Sequence, residues 1–362
     1  MDWKAFINER VEPMRPYAPG LRAADVKNRT SREHIVKISS NEFPAPPFPG
    51  ALEAGAAALA NLNRYPDGSA RELVARIAER FKLDPATIAV GNGSNELLML
   101  LAEACLKPGD EVAFCSPSFV VYSVACQITG ATPITVPVNA QGAFDLEALA
   151  LRLTPRTKFV FICNPNNPTG NIVTRQEFEK FLSQVPEGCV VCLDEAYAEF
   201  CLDPEFFTGL DYLNGEVPLI VLRTFSKIYA MAGARVGWGV MPRELVEAHN
   251  KVREPFNVNS VAQAMAAASL ADTTTLAQRV TSNAAERLRL ERTLDALGIK
   301  HYPSHTNFVY AFFDDPADAF ERLLGEGIIV RNFGSGGALR IGVGSHEEND
   351  VVIAALEMLF SR

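Results

Sequence analysis

The sequence predicts an α/β protein: a central, mostly parallel sheet with helices on both faces, followed by a smaller α+β domain at the C-terminal end. Three observations carry this. Short continuous apolar runs alternate with helical patterns through the first two thirds of the chain, as strands buried on both faces require. The runs end in turns rich in Gly, Ser, Asn and Pro. After about residue 260 the pattern changes to two helices, the second long, and then to short runs with helices between them.

Taken in order, "NEFPAPPFPG" (Asn41 to Gly50) is the clearest linker, closing an N-terminal arm. "TIAVGNGS" reads as strand then turn and "NELLMLLAEACL" as helix. "EVAFCSPS" is a strand, "VVYSVACQIT" a helix and "TPITVPV" a strand. "KFVFICNPNNPTG" is a buried strand ending in a turn-rich loop, and "CVVCLDEAY" and "PLIVLRTFS" are two more buried strands. "SVAQAMAAASLAD" and "TTTLAQRVTSNAAERLRLERTLDALG" are helices, and "NFVYAFF", "GIIV" and "ALRIGVG" are the late strands. The expected division is an arm over 1–45, a large domain over 46–265 and a small domain over 266–362, with the arm joining the small domain.

Bulk properties narrow the function. The chain has 362 residues, 48% hydrophobic and 21% charged, enough to fill a sizeable core. A net charge of -9 argues against a nucleic-acid or anionic-membrane surface. The start, "MDWKAFINER", lacks the apolar stretch of a signal peptide, and no apolar run is long enough to span a bilayer. Seven cysteines, mostly in apolar segments, suit no closed disulfide framework and fit a reducing cytoplasm. Cys189 and Cys192 form a C-x-x-C within an apolar run, where residues three apart on a strand face opposite sides. The five histidines have no metal-ligand spacing, so no metal is expected.

In a parallel sheet, ligands sit beyond the carboxyl ends of the strands. Those ends carry Gly91 to Ser94, Ser116 to Phe119, Asn164 to Gly170, Asp194 to Tyr197 and Thr224 to Lys227. Singly, each has a plain reading. "GNGSNE" is an anion site or a capped helix. Asp194 is a functional acid or a turn cap, and Asn167 a site residue or part of a turn. Lys227, in "RTFSKIYAMAGARVG", is a solvated charge, a phosphate ligand or a nucleophile. Together they are specific. A lysine lowered in pKa by burial and cationic neighbours can form an imine with an aldehyde. An acid facing a pyridine nitrogen keeps that ring an electron sink. Tyr and Asn can bind a phenolate oxygen, while Ser226, Arg235 and a helix N-terminus can hold a phosphate. These are the contacts that pyridoxal phosphate needs.

The motifs "RPYAPG", "SSNEFP", "RYPDG", "GNGSNE", "NPNNPTG", "DEAYAEF", "TFSKIYAMAGARVGW", "GIIVRNF" and "LRIGVG" run in one order along the chain. In this it resembles the fold-type I, class I/II pyridoxal-phosphate-dependent aminotransferases, and within them the histidinol-phosphate aminotransferases of L-histidine biosynthesis. The resemblance implies that Lys227 is the Schiff-base lysine and proton carrier, that Asp194 pairs with the pyridine nitrogen, and that Tyr197 and Asn167 bind the phenolic oxygen. It implies that Gly93, Ser94, Asn95, Ser226 and Arg235 hold the cofactor phosphate, with Tyr65 reaching it from the partner of a homodimer. Phe119 would stack on the ring, with Tyr122 nearby. Arg340 would bind the substrate carboxylate. Tyr17 and Arg331 would lie at the substrate's phosphate end, and Asn41, Tyr65 and Asn167 would complete the substrate contacts. Substrates would be histidinol phosphate or imidazole-acetol phosphate with glutamate or 2-oxoglutarate. The chain departs from the family at Asn95, where aspartate is usual, and at Phe119, where tyrosine is usual. Other readings are an aromatic or other amino-acid aminotransferase, a lyase like the threonine-phosphate decarboxylases, and a non-catalytic cofactor-binding protein.

Overall fold

A computed structural model describes residues 3–16, 20–27, 29, 30, 32–334 and 337–361. Its strands are β1 (Val36–Lys37), β2 (Ile88–Gly91), β3 (Glu111–Ser116), β4 (Thr132–Pro137), β5 (Thr157–Cys163) and β6 (Val190–Asp194). They continue with β7 (Leu219–Thr224), β8 (Gly237–Val240), β9 (Phe308–Phe312), β10 (Ile328–Ile329), β11 (Arg331–Asn332) and β12 (Ala338–Gly342). Seven of them form one sheet in the order β2, β8, β7, β6, β5, β3, β4. All neighbours pair in parallel except β8, which is antiparallel to both β2 and β7.

The central strands are the continuous apolar runs, and β6 and β7 are almost entirely buried. β4, by contrast, is an edge strand, mostly exposed, carrying Pro133 and Pro137. Proline suits an edge because it offers no N–H for further pairing. β8 has no counterpart in the sequence reading. It is four residues, "GWGV", and half glycine, so it makes no apolar run. Its glycines answer to close approach: a Cβ on Gly237 would come 2.3 Å from the Ser94 backbone N.

Two main apolar clusters fill the molecule. The larger lies around the sheet and includes Phe114, Phe161, Leu193, Val221 and Phe225. The smaller joins Val36 and Ile38 of the arm to Leu290, Leu294, Val309, Ile341 and Leu356. The arm's β1 pairs in parallel with β10, and β9, β12 and β11 form an antiparallel sheet. The long helix Thr273–Ala296 serves both clusters: Leu276 and Val280 pack on the larger, Leu290 and Leu294 lie within the smaller. Partway along it, Arg279 donates to the Ile228 carbonyl at 2.8 Å and to that of Pro46, and lies over Phe48 at 4.4 Å. This ties the linker to the residue after Lys227.

Candidate active site

The carboxyl ends of the parallel strands open into a cavity of about 300 Å³. Its walls include Gly93, Ser94, Asn95, Phe119, Asn167, Asp194, Tyr197, Ser226, Lys227 and Arg235 from the large sheet's loops, with Asn41 from the arm and Arg331 and Arg340 from β11 and β12. Thus the residues picked out at the strand ends converge on one space. Tyr65 is not in it: 81% exposed, it stacks on Phe256 at 4.7 Å. Tyr17 lies outside the described residues. Thr224, from one of the expected strand ends, also lines the cavity, as do Gly20, Ser39, Ser40 and Glu42, which were unforeseen from the sequence. For these four, the motifs "RPYAPG" and "SSNEFP" were the available signal.

At one end, Gly93 has φ +87° and stands immediately before the helix Ser94–Cys105. Only glycine takes this conformation freely, and a Cβ there would come 2.7 Å from Arg235 Nη2. The guanidinium is thereby held against a helix N-terminus whose N–H groups attract anions. Arg235 also donates to the Ala232 carbonyl at 3.0 Å and to Ser226 Oγ at 3.4 Å. Its own φ is +60°, a left-handed conformation that a residue with a side chain adopts at some cost, and one concentrated at functional sites.

At the centre, Asp194 ends β6 and is buried. Burial pushes its carboxyl up to about 6, while the Tyr122 hydroxyl, the Ala196 N–H and the Lys227 charge pull the other way. Lys227 lies just past β7, with its Nζ 5.4 Å from the centre of the Tyr197 ring. Burial, and then the Arg340 charge, bring its amine down to about 8. Tyr197 is buried and accepts a 2.8 Å bond from the Asn41 side-chain amide.

At the far end, Arg340 donates to Asn167 Oδ1 at 2.5 Å and to the Ser39 carbonyl at 2.8 Å. Arg331 is its direct cross-strand partner, so both cations project from the same face of the strand pair. Asn307 donates to the Asn41 carbonyl at 3.2 Å, so Asn41 of the arm is held both by Tyr197 of the large sheet's loops and by Asn307, next to β9.

Behind the cavity is a buried ionic network not anticipated from the sequence. The Glu195 carboxylate accepts from Arg223 Nε at 2.9 Å, from the Thr208 hydroxyl at 2.8 Å and from the Gly209 N–H at 2.6 Å. Arg223 also reaches Glu199 at 3.0 Å. Opposite charges at the ends of two apolar runs, "CLDEAY" and "PLIVLRTFS", were the trace of it. Among the described residues, no cluster of His, Cys, Asp and Glu has the arrangement of a metal site.

The donor set can be tested against the group the sequence implies. Pyridoxal phosphate needs an anion cradle, an acid for the ring nitrogen, donors for a phenolate and an amine. The Gly93 turn with Arg235 forms the cradle, where the space of a Cβ is already taken by a guanidinium. Asp194, Tyr197 and Lys227 line the same cavity, and the residues fit.

Fold and site together define an α/β enzyme built around a lysine of lowered pKa opposite a buried acid. The chain belongs to the aminotransferase class I and II family, whose model matches residues 33–356. It is 41% identical to histidinol-phosphate aminotransferase 2 of Pseudomonas aeruginosa, over 98% of each chain. It is 39% identical to an aromatic amino acid aminotransferase of Corynebacterium diphtheriae, over 98% of this chain and 100% of that one. The crystal structure of histidinol-phosphate aminotransferase from Sinorhizobium meliloti, in complex with pyridoxal-5'-phosphate, superposes with a TM-score of 0.89 at 26% identity. That match covers 98% of this chain and 97% of the other. The fold is accordingly that of the fold-type I aminotransferases.

Proposed function

We propose that this chain is a pyridoxal-phosphate-dependent aminotransferase exchanging an amino group between histidinol phosphate and 2-oxoglutarate, in the service of L-histidine synthesis. The observation that carries the chemistry is Lys227. It lies in the cavity with Asp194 and Tyr197, and burial with the Arg340 charge brings its amine down to about 8, which favours the free amine that attacks a carbonyl or takes a proton. Bound pyridoxal phosphate supplies the electron sink. Asp194 would face the ring nitrogen, Tyr197 and Asn167 would bind the phenolic oxygen and Phe119 would cover the ring. Gly93, Ser94, Asn95, Ser226 and Arg235, which line the same cavity, would hold the phosphate. Lys227 would carry the proton to and from the substrate carbon.

Substrate choice rests on Arg331 and Arg340. Both line the cavity from neighbouring strands, and two cations on one face favour an anionic substrate between them. Arg340 offers two N–H groups to a glutamate carboxylate, and the pair together suits a phosphate dianion. Asn41, on the cavity wall, would complete this end. Tyr65, exposed and not lining its own cavity, would serve the site of a second copy in a homodimer.

A second reading, an aromatic amino-acid aminotransferase, is favoured by the Corynebacterium relative and by the rings at this end: Phe308 and Phe333 lie 5.2 and 5.4 Å from the Arg340 guanidinium. One experiment decides. The protein loaded with cofactor is mixed with histidinol phosphate, threonine phosphate or phenylalanine, and the cofactor spectrum reports turnover. Histidinol phosphate should convert fastest, without release of carbon dioxide. Preference for phenylalanine, or carbon dioxide from threonine phosphate, overturns the assignment.

A further inference from the structure

The Asp194 carboxylate is held from behind by a residue that does not line the cavity. Its Oδ2 accepts from the Tyr122 hydroxyl at 3.1 Å, and its Oδ1 from the Ala196 backbone N–H at 3.2 Å. With each oxygen accepting one bond, the plane of the carboxylate is fixed and lone pairs remain toward the cavity. Tyr122 is wholly buried, at 0% exposure, in the helix Val121–Thr129. Packing sets its position independently of Asp194: the ring stacks on Phe161 at 4.9 Å and meets the edges of Phe114 and Phe119 at 5.7 and 5.8 Å. Phe119 lines the cavity itself, so one buried ring backs two residues of the site.

We propose that Tyr122 is a positioning residue, whose hydroxyl keeps the Asp194 carboxylate charged and aimed into the cavity. Its role toward the cofactor rests on the reading given above; the pair itself does not. Burial, reinforced by the Asp194 charge, holds the Tyr122 phenol well above its usual range, so the phenol stays protonated and acts as donor. The groups around Asp194 are few. Lys227, from beyond β7, favours the carboxylate; Glu195, next in the chain, opposes it. Cys163 on β5 and Cys192 on β6 are buried thiols whose own ionisation is pushed far up. Tyr197 is likewise held protonated by burial. Of these, the Tyr122 hydroxyl is the largest influence favouring the charged form. It stands against burial, which disfavours any buried carboxylate.

The test uses Tyr122→Phe, which removes one oxygen and leaves the ring packing. In cofactor-free protein carrying 13C-carboxyl aspartate, the Asp194 resonance is assigned by its loss in Asp194→Asn. Its titration midpoint should rise by about one pH unit in Tyr122→Phe, the size of a lost hydrogen bond to a charged form. The variant should also bind pyridoxal phosphate about tenfold more weakly by fluorescence quenching, and its kcat should fall with KM for glutamate little changed. Replacing Tyr122 with 3-fluorotyrosine, a more acidic donor of nearly the same shape, should move the midpoint the other way and covers the case in which Tyr122→Phe fails to fold. An Asp194 midpoint that ignores both changes overturns the proposal. Failure to take up pyridoxal phosphate, with the midpoint moving as stated, overturns the cofactor reading and leaves the pair standing.

Discussion

Arg331 and Arg340 stand directly opposite each other on neighbouring antiparallel strands, and both line the cavity. Two positive charges on one wall of the cavity make substrate charge the variable to test. Arg331→Gln should lower kcat/KM for histidinol phosphate roughly tenfold to a hundredfold, the value of a charge-assisted hydrogen bond. Phenylalanine turnover should change far less. Equal losses on both substrates would show that Arg331 does not read the phosphate.

Arg340 is held at both ends of its fork, by Asn167 and by the Ser39 carbonyl. Lysine keeps the charge but cannot span both partners. Steady-state kinetics of Arg340→Lys should therefore show kcat/KM for glutamate lower by about 2–3 kcal/mol of transition-state stabilisation, roughly 30- to 150-fold. A variant within threefold of the parent would remove Arg340 from substrate recognition.

Lys227 gives a prediction about stability. Its folded pKa, about 8, lies below the value of 10.5 for a free lysine. Below pH 8 the native state must keep the charged form in a site that disfavours it. Between pH 8 and 10.5 the unfolded chain binds more protons than the native one, and stability rises with pH. Lys227→Met should therefore stabilise the cofactor-free protein at pH 7 by on the order of 2 kcal/mol, an advantage that fades between pH 8 and 10.5. Urea titrations across that range check it, and a difference independent of pH contradicts it. The same variant should have no transaminase activity.

Asp194→Asn keeps the shape of the side chain and removes its charge. Stopped-flow half-reactions with glutamate should slow on the order of 10²- to 10³-fold, as when one preorganised electrostatic partner is lost. A rate near that of the parent would mean that Asp194 is structural.

Glu195→Gln tests the network behind the site. It leaves the buried Arg223 with Glu199 as its remaining carboxylate. Removing one partner of a buried pair costs about 3–5 kcal/mol, and the Glu199 contact places this variant near the lower figure. Equilibrium denaturation measures it; a loss below 1 kcal/mol would show the network to be dispensable.

The strands that carry the site were legible because burial on both faces writes an unbroken apolar run, as in β5 and β7. β8 was not, because its glycines are dictated by Ser94 and Leu222, neighbours distant in sequence. Lys227, Asp194 and Tyr197 stood out through their motifs. Tyr122 looked like one more ring beside Phe119, since nothing local says that its hydroxyl meets an acid 72 residues away.

The sequence by itself determined the α/β class, the strand ends where the chemistry gathers, and the kinds of group present there: an amine, an acid, phenols and guanidinia. Periodicity and side-chain chemistry are local, and they survive in one dimension. Only the tertiary structure decided which of these groups are desolvated and which face each other. It set Asp194 against Tyr122, Arg223 against Glu195 and Arg331 opposite Arg340. Desolvation and distance fix a group's charge and reactivity, and both arise only when strands far apart in the chain are laid side by side.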